Sequence, residues 1–463
     1  MKSEKIHLFT QKIYSHRQYF NPLELFSIFF WYLAMFPGRV GFDTALVFRM
    51  MAEGRNTDWW TGTYFRILQV LTFNGTSVYL FSAVSILLLF ASIKYICNVL
   101  IPNPKIRKRV SALIFVTPFF GVFGMTVAHD VLQVSGILLI IGASLEIRNS
   151  HYKFSNRNFY ILMLGMILNL CVKSGIIYSL SLVLILLFKK VYRHGFYLLC
   201  VTVLLSAISL IGIDTSWTNQ GKYVPLLADI KCVLQHPEAR VDAEDWKYFA
   251  SISTINAWKE PLTCSDISAI DKFLKTVSYS SIDSDSSLTK HYLRIVQNNP
   301  AIVLMAHIQR SSNALPPPFF RWPENQVDLN YSNPIGKDTN IALQKGPELL
   351  HPSVDYDPVR IGSKFLKPLN LIAQIPTFLI NQASWFWGWG GLWLWPILFF
   401  WVFKLRVFKI LDLVFTLLPV ITLHLTIFAL GISPTGRHVM ITILLGLITS
   451  FAFLFDKIEK LRG

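Results

Sequence analysis

The chain of 463 residues is 53% hydrophobic, 14% aromatic and only 15% charged, with a mean hydropathy of +0.45. This balance excludes an ordinary soluble globular domain and indicates a polytopic membrane protein. The net charge of +16 is concentrated between the hydrophobic stretches, so it indicates membrane topology and argues against nucleic acid as a partner.

Hydrophobic stretches near the length of a membrane-spanning helix, about 20 residues, recur from Leu23 to Phe455. Ten spans are predicted, at 23–36, 77–101, 110–127, 131–147, 158–172, 174–188, 196–213, 384–403, 410–431 and 439–455. The sequence therefore predicts an all-α polytopic membrane protein with about ten transmembrane helices.

Alternate gaps between these spans are basic. The basic clusters are Lys2 to Arg17, Lys105 to Arg109, Arg148 to Arg157, Lys189 to Arg193, Lys404 to Lys409 and Lys457 to Arg462. The positive-inside rule places them, and both termini, in the cytoplasm of a plasma-membrane (inner-membrane) protein. The gaps 37–76, 128–130, 173, 214–383 and 432–438 are then extracytoplasmic. Because polar residues precede the first span and Pro37-Gly38 follows it without a cleavage pattern, we expect that span to be retained.

Three regions follow from this layout: an N-terminal transmembrane module (1–213) with a first outer loop (37–76), an extracytoplasmic domain (214–383) and a C-terminal transmembrane module (384–463). The extracytoplasmic domain has sixteen Lys and Arg against seventeen Asp and Glu, so the charge rule does not place it in the cytoplasm. Its first half contains helix-like runs at 242–258 and 287–297, and its second half is irregular around Pro316-Pro317-Pro318. Cys232 and Cys264 can form a disulfide if this domain faces an oxidising compartment, and the sequence leaves that pairing open.

The first outer loop concentrates charge beside a membrane span, where charge is costly and usually functional. Asp43 precedes a run that can form an amphipathic helix. It can cap that helix, or it can act as a general base that takes a proton from an acceptor hydroxyl. Asp58 precedes Trp59-Trp60, a pair that suits an interfacial aromatic belt.

The pair His129-Asp130 interrupts a hydrophobic hairpin with charge. The structural interpretation is an N-cap for the fourth span. The functional interpretation is a second acidic group or metal ligand opposite Asp43, with His129 available to a phosphate. Two carboxylates and a histidine do not by their spacing define a metal site, so a divalent metal is left open.

Three further polar positions fall on the same predicted face. Lys173 either snorkels to the interface or provides a cation for a lipid phosphate. Arg437 can grip a phosphate in a bidentate manner, and His438 follows it. The aromatic run Trp385 to Trp395 is interpreted as an interfacial belt, with stacking on sugar rings as the alternative.

These residues resemble bacterial members of the GT-C superfamily, the multispanning glycosyltransferases that use polyprenyl-phosphate sugars. The resemblance is carried by three segments: the first loop from Pro37-Gly38 through Asp43 to Asp58-Trp59-Trp60, the hairpin Pro118 to Asp130, and the stretches Leu226 to Trp258 and Tyr292 to Arg310. The chain departs from the family pattern at three positions, with His129 in place of Lys, His438 in place of part of an Arg-Tyr pair, and Trp60 in place of His.

The resemblance implies a GT-C-like fold and an inverting transfer of a sugar from a polyprenyl-phosphate donor to a glycan, lipid or protein acceptor. It implies Asp43 as the catalytic base and Asp130 as a second carboxylate. Donor-phosphate contacts would come from Arg437, His438, Lys173 and His129, and sugar or acceptor contacts from Asp58, Trp59 and Trp60.

Two other functions are kept beside this one. An O-antigen-type polymerase or ligase would use outer-loop basic residues, here Arg294, His307 and Arg310. A lipid or saccharide transporter would be expected to show paired repeats and broken helices, and neither is evident in the sequence.

Overall fold

The computed structural model describes residues 21–36, 38–40, 44, 47, 48, 50, 51, 54–56, 61–75, 77–172, 175–188, 191–213, 223–262, 264, 267–282, 285–311, 368, 369, 372, 375, 390–430 and 439–462. These residues are predominantly helical. The helices before residue 213 are α1 Pro22–Ala34, α2 Gly62–Leu71, α3 Tyr79–Leu100, α4 Pro104–Val116, α5 Pro118–Gly124, α6 His129–Asn149, α7 Asn156–Asn169, α8 Gly175–Phe188 and α9 Tyr192–Ser209. Two short strands, β1 Arg39–Val40 and β2 Thr126–Val127, pair in parallel.

The central region contributes shorter helices, and the C-terminal region adds three long or apolar ones. The central helices are α10 Val224–Val233, α11 Ala243–Ile252, α12 Ile255–Lys259, α13 Ile267–Leu274, α14 Asp285–Asn298 and α15 Pro300–Arg310. The C-terminal helices are α16 Gly390–Phe399, which continues as a π-helical turn through Lys404, then α17 Ile410–Leu430 and α18 Met440–Arg462.

Within the described residues, five helices are long and apolar enough to cross a membrane: α3, α6, α9, α17 and α18. They coincide with five of the ten predicted spans. Helices α1, α7 and α8 have 13, 14 and 14 residues, shorter than the roughly 20 that span a bilayer without tilt or thinning. The protein is therefore a helical protein with several membrane-spanning candidates, and the number of crossings stays a prediction.

The predicted span 110–127 is not one helix. Helix α4 ends at Val116, Thr117 is extended (φ −74°, ψ 149°), and α5 starts at Pro118. A proline has no backbone N–H and forces the residue before it out of the helical region, so the chain breaks here. The short helix α5 follows this break, and β2 follows α5.

Helix α6 is the centre of the membrane bundle. Nearly all of its residues are buried, and it packs against α3, α7 and α17. At the α7 crossing, a Cβ on Gly136 would lie 2.6 Å from the carbonyl oxygen of Gly165, so the absence of side chains allows the close approach. The N-terminal and C-terminal modules are far apart in the sequence but lie in contact in the structure. Helix α17 contacts α6, and α18 contacts α4.

A buried ion pair holds the start of α1 against two neighbouring helices. Glu24 completes a capping box with Asn21, and its carboxylate accepts hydrogen bonds from Lys94 Nζ of α3 (2.8 and 2.9 Å) and from the Ser111 hydroxyl of α4. Glu24 has no exposed surface. Because an unpaired charge at such a depth is costly, these three helices depend on one another for their packing.

Residues 223–311, called here the helical domain, have their own core. It includes Leu227, Phe249, Trp258 and Ile295. The predicted helical run 242–258 is divided into α11 and α12, and the predicted run 287–297 lies inside α14. A disulfide joins Cys232 at the end of α10 to Cys264, with Cα atoms 5.7 Å apart, so the pairing left open by the sequence is formed. The proline-rich second half of the region lies outside the described residues.

Candidate functional site

The first outer loop is fastened to the segment that leads into α6. In the parallel β1–β2 pair, Arg39 lies opposite Thr126 and Val40 opposite Val127. The Thr44 hydroxyl then donates a hydrogen bond to the Val127 carbonyl oxygen at 2.6 Å, and Thr44 is 3% exposed. Val40 and Thr44, on either side of residues 41–43, are therefore both held against Val127. Val127 precedes His129 by two residues.

A glycine makes this approach sterically feasible. Gly38 has φ +133°, a conformation that residues with a Cβ rarely adopt. A Cβ at this position would lie 1.9 Å from the Ser82 hydroxyl of α3 and 3.3 Å from the Met125 carbonyl oxygen. Close packing at the start of the first outer loop therefore requires a glycine at position 38.

His129 and Asp130 are the first two residues of α6, and both are buried, at 3% and 2% exposure. The N-cap interpretation of this pair is wrong: the N-cap residue is Ala128, which has no side-chain cap hydrogen bond. His129 Nε2 lies 3.4 Å from Asp130 Oδ1. Asp130 lies in the first turn of α6, where the partial positive charge of the helix N-terminus favours an acidic side chain.

The far end of the loop returns to the same place through α2. The ring of Tyr64 packs edge-on against His129, with ring centres 5.6 Å apart, and also against Phe81 of α3 at 6.3 Å. Tyr64 is 1% exposed. Both ends of the 37–76 loop therefore converge on the start of α6.

Sequence reasoning missed Thr44 and Tyr64. Each is an ordinary residue type in a loop or amphipathic helix, and no local pattern distinguishes it. Their role depends on contacts with residues 65 to 83 positions away, which only the folded chain reveals.

One hydrophobic cluster gathers the neighbours of several predicted site residues. It includes Val47 and Phe48 from the loop, Val127, Leu132 from α6 and Cys171 from the end of α7. Cys171 precedes the predicted cation Lys173 by two residues. The chain segments that carry the first outer loop, the His129-Asp130 pair and the α7–α8 turn therefore share one core.

Seven of the nine predicted site residues lie outside the residues that the structure describes: Asp43, Asp58, Trp59, Trp60, Lys173, Arg437 and His438. Their roles stay predictions.

In the predicted aromatic belt, Trp393 is 6% exposed and packs in the core near Gly446, whereas Trp395 is 40% exposed. The belt interpretation suits Trp395 and does not suit Trp393.

Across the described part of the chain, no group of three or more His, Cys, Asp or Glu side chains is placed to hold a metal ion. The His129-Asp130 pair would supply at most two ligands. A metal would need further ligands from segments outside that part, such as the one containing Asp43.

The helical domain contains a second buried polar cluster. Asp229 accepts hydrogen bonds from Arg310, from Tyr292 at 3.1 Å, and lies 3.2 Å from His307 Nδ1. Arg310 has no exposed surface. Burial, followed by the Asp229 carboxylate, raises the pKa of Tyr292, so the phenol stays a donor at neutral pH. The His307 ring also packs against Phe428 of α17, 5.0 Å between centres, so this cluster joins the domain to the membrane bundle.

Arg294, the third basic residue that a polymerase or ligase would use, is also paired. Its guanidinium lies 2.7 Å from Glu244 and 3.3 Å from Asp245. The hydrogen bond from Arg294 lowers the pKa of the Glu244 carboxyl. Arg294 and Arg310 are thus accounted for by ion pairs within the domain.

No protein-family model, curated protein or solved structure matches this chain.

Proposed function

We propose that this protein is an integral membrane glycosyltransferase that transfers a sugar from a polyprenyl-phosphate donor to an acceptor hydroxyl on the extracytoplasmic face, with inversion. The observation that carries the proposal is the fastening of the first outer loop to the start of α6 by the β1–β2 pair and the Thr44–Val127 hydrogen bond. Thr44 directly follows the proposed base Asp43 in the sequence, so this fastening supports a site shared with Asp130.

The disulfide supports the proposed placement of the helical domain. Structural disulfides persist in oxidising compartments, and Cys232–Cys264 joins residues of the region that the charge rule assigns to the outside. The apolar helices support a donor with a lipid tail, because the tail can stay in the bilayer while its sugar meets a polar acceptor.

In the proposed reaction Asp43 takes the proton of the acceptor hydroxyl as its oxygen attacks the anomeric carbon. The new carbon–oxygen bond forms while the bond to the donor phosphate breaks on the opposite side, which inverts the anomeric configuration. The lipid phosphate leaves as an anion, and cations at Arg437, His438, Lys173 or His129 would stabilise it. Asp130 would orient the acceptor or a bound cation, and Asp58, Trp59 and Trp60 would contact sugar.

The test is a transfer assay with the purified full-length protein and a panel of polyprenyl-phosphate sugars. We expect Asp43→Asn and Asp130→Asn to express and fold, and each to lose transfer by at least about a hundredfold, as removal of a general acid–base group does. Glu459→Gln, a partly exposed carboxylate at the far end of the chain, is the matched control and should transfer normally.

Full transfer by a well-folded Asp43→Asn protein would overturn the proposed mechanism. Uptake of a saccharide or lipid into sealed vesicles without chemical change would instead indicate a transporter. If the protein is a polymerase, the Arg294→Gln variant should stop making long polymer and still transfer single sugars. Because Arg294 is held in ion pairs within the domain, we expect no such difference between the two activities.

A further inference from the structure

A second site lies at the opposite end of α6 from His129 and Asp130. A cavity of about 530 Å³ is formed where α6 ends and α17 begins. Its lining includes Arg148, Tyr152, Arg406, Phe408, Lys409 and Asp412. Since α6 has 21 residues and rises about 1.5 Å per residue, this cavity is about 30 Å from the candidate active site.

The cavity has an excess of positive charge. Asp412 accepts a hydrogen bond from the Tyr152 hydroxyl at 2.5 Å and lies 3.7 Å from Arg148 Nε, so it neutralises one of the cations. Among the described residues, the side chains of Arg406 and Lys409 have no acidic partner. The Arg406 and Lys409 side chains are therefore available to bind an anion in the cavity.

Backbone strain is concentrated around the same cavity. Five non-glycine residues in the described ranges have positive φ, and three of them line it: His151 (54°), Tyr152 (63°) and Arg406 (52°). The π-helical turn Phe400–Lys404 ends just before Arg406. Such conformations cost free energy, and those of His151 and Tyr152 are held by backbone hydrogen bonds to Arg148 and Ile147 at the end of α6.

The surroundings indicate which anion fits. Helices α6 and α17 are both membrane-spanning candidates, and the cavity lies at their ends, where lipid headgroups lie if both helices cross the bilayer. Phe408 and Ile410, next to the free cations, are 71% and 78% exposed, as expected of side chains in contact with acyl chains. We propose that this cavity binds the phosphate headgroup of an anionic glycerophospholipid, with Arg406 and Lys409 as its principal contacts.

The proposal goes beyond the proposed glycosyltransferase function and does not depend on it. Basic pockets between transmembrane helices bind anionic headgroups, and each basic residue near the surface contributes about 1 kcal/mol. Asparagine tolerates positive φ, so Arg406→Asn with Lys409→Gln removes both charges with little added strain. Lys105→Gln with Lys108→Gln is the matched control, because these lysines are also exposed, belong to another basic cluster and do not line the cavity.

The experiment measures lipid retention by native mass spectrometry after reconstitution of the full-length protein in mixed phosphatidylglycerol and phosphatidylcholine. We expect the wild type and the control to retain phosphatidylglycerol preferentially, and the cavity variant, which lacks two charges, to retain about thirtyfold less. Equal retention of both lipids by the wild type, or an equal loss in the control variant, would overturn the proposal. The double variant Arg406→Lys with Lys409→Arg should retain the lipid.

A second arm separates the lipid from free phosphate. Sodium phosphate is compared with sodium chloride at the same ionic strength, with the thermal unfolding midpoint as the readout. If inorganic phosphate alone raises the midpoint of the wild type as much as phosphatidylglycerol does, and displaces the lipid, the cavity binds soluble phosphate and the lipid assignment is wrong.

Discussion

The hydroxyl of Thr44 donates a hydrogen bond to the carbonyl oxygen of Val127 across 83 residues of chain, at 2.6 Å. Thr44 directly follows the predicted base Asp43, and Val127 lies three residues before Asp130. This bond and the β1–β2 pair hold the first outer loop against the backbone that leads into α6.

Removal of the Thr44 hydroxyl should loosen the loop. We expect Thr44→Val to lower the free energy of unfolding by only about 1 kcal/mol, the net value of one such hydrogen bond, and to reduce sugar transfer at least tenfold because Asp43 is less well positioned. Thr44→Ser keeps the hydroxyl and should keep most of the transfer. Wild-type transfer by Thr44→Val would show that the bond is not needed to position the loop.

Gly38 should not accept a side chain. A Cβ there would clash with Ser82 and require an unfavourable φ, so Gly38→Ala should cost about 3 kcal/mol in thermal or denaturant unfolding. Gly54→Ala is the matched control: its φ of +69° imposes strain, but nothing lies within 4 Å of the added Cβ, and it should cost about 1 kcal/mol. Adding Ser82→Gly to Gly38→Ala should recover part of the loss, and no recovery would argue against the clash.

The Glu24–Lys94 pair should behave as a buried ion pair. Lys94→Met leaves the buried Glu24 carboxylate with two uncharged donors, the Ser111 hydroxyl and the Asn21 backbone N–H, and should lower the free energy of unfolding by about 3 kcal/mol. The double variant with Glu24→Gln should regain most of it. Breaking the more exposed Arg109–Glu459 pair with Glu459→Gln should cost under about 1 kcal/mol. Equal losses for Glu24→Gln and Glu459→Gln would contradict the difference in burial.

The Cys232–Cys264 disulfide should stabilise the helical domain. It closes a separation of 32 residues, so the double variant Cys232→Ser with Cys264→Ser should cost about 3–4 kcal/mol, seen as faster limited proteolysis of residues 223–311. Cys200→Ser removes an exposed free thiol and should have little effect.

The same disulfide tests the proposed topology in intact cells. Labelling of Cys232 and Cys264 after treatment with a membrane-impermeant reductant would support an extracytoplasmic position, and protection from that reductant would contradict it.

Lys231 should give the helical domain a distinctive pH dependence. Burial lowers the pKa of Lys231 from 10.5 to about 8, while its ammonium donates to the carbonyl oxygens of Trp258 and Glu260. Between about pH 8 and 10.5 the unfolded chain then binds more protons than the folded chain at this group. The contribution of Lys231 to the free energy of unfolding therefore rises with pH through that window and is constant below it.

The measurement compares the wild type with Lys231→Met by thermal unfolding from pH 7.5 to 10. The difference between the two proteins isolates Lys231 from other titrating groups. We expect the wild type to gain stability relative to the variant as the pH rises above about 8. A pH-independent difference would show that Lys231 titrates near its ordinary pKa in the folded domain.

The helical class and the positions of the long apolar helices, which are the membrane-spanning candidates, could be predicted from the sequence alone. Hydrophobic length and density are local properties, so α3, α6, α9, α17 and α18 could be predicted from composition along the chain. The sequence also identified Cys232 and Cys264 as candidates for a disulfide and His129-Asp130 as an unusual pair. The break at Pro118 was readable in principle, but the apolar run around it outweighed the proline.

Which of these features lie in contact could be learned only from the folded chain. The contacts of Thr44 with Val127, of Tyr64 with His129 and of Asp229 with Arg310 join residues 65 to 83 positions apart. No local periodicity specifies such pairs, because they depend on how whole helices pack around α6. The same is true of the cavity between Arg148 and Lys409, whose two sides are more than 250 residues apart in the chain and become neighbours only when α17 packs against α6.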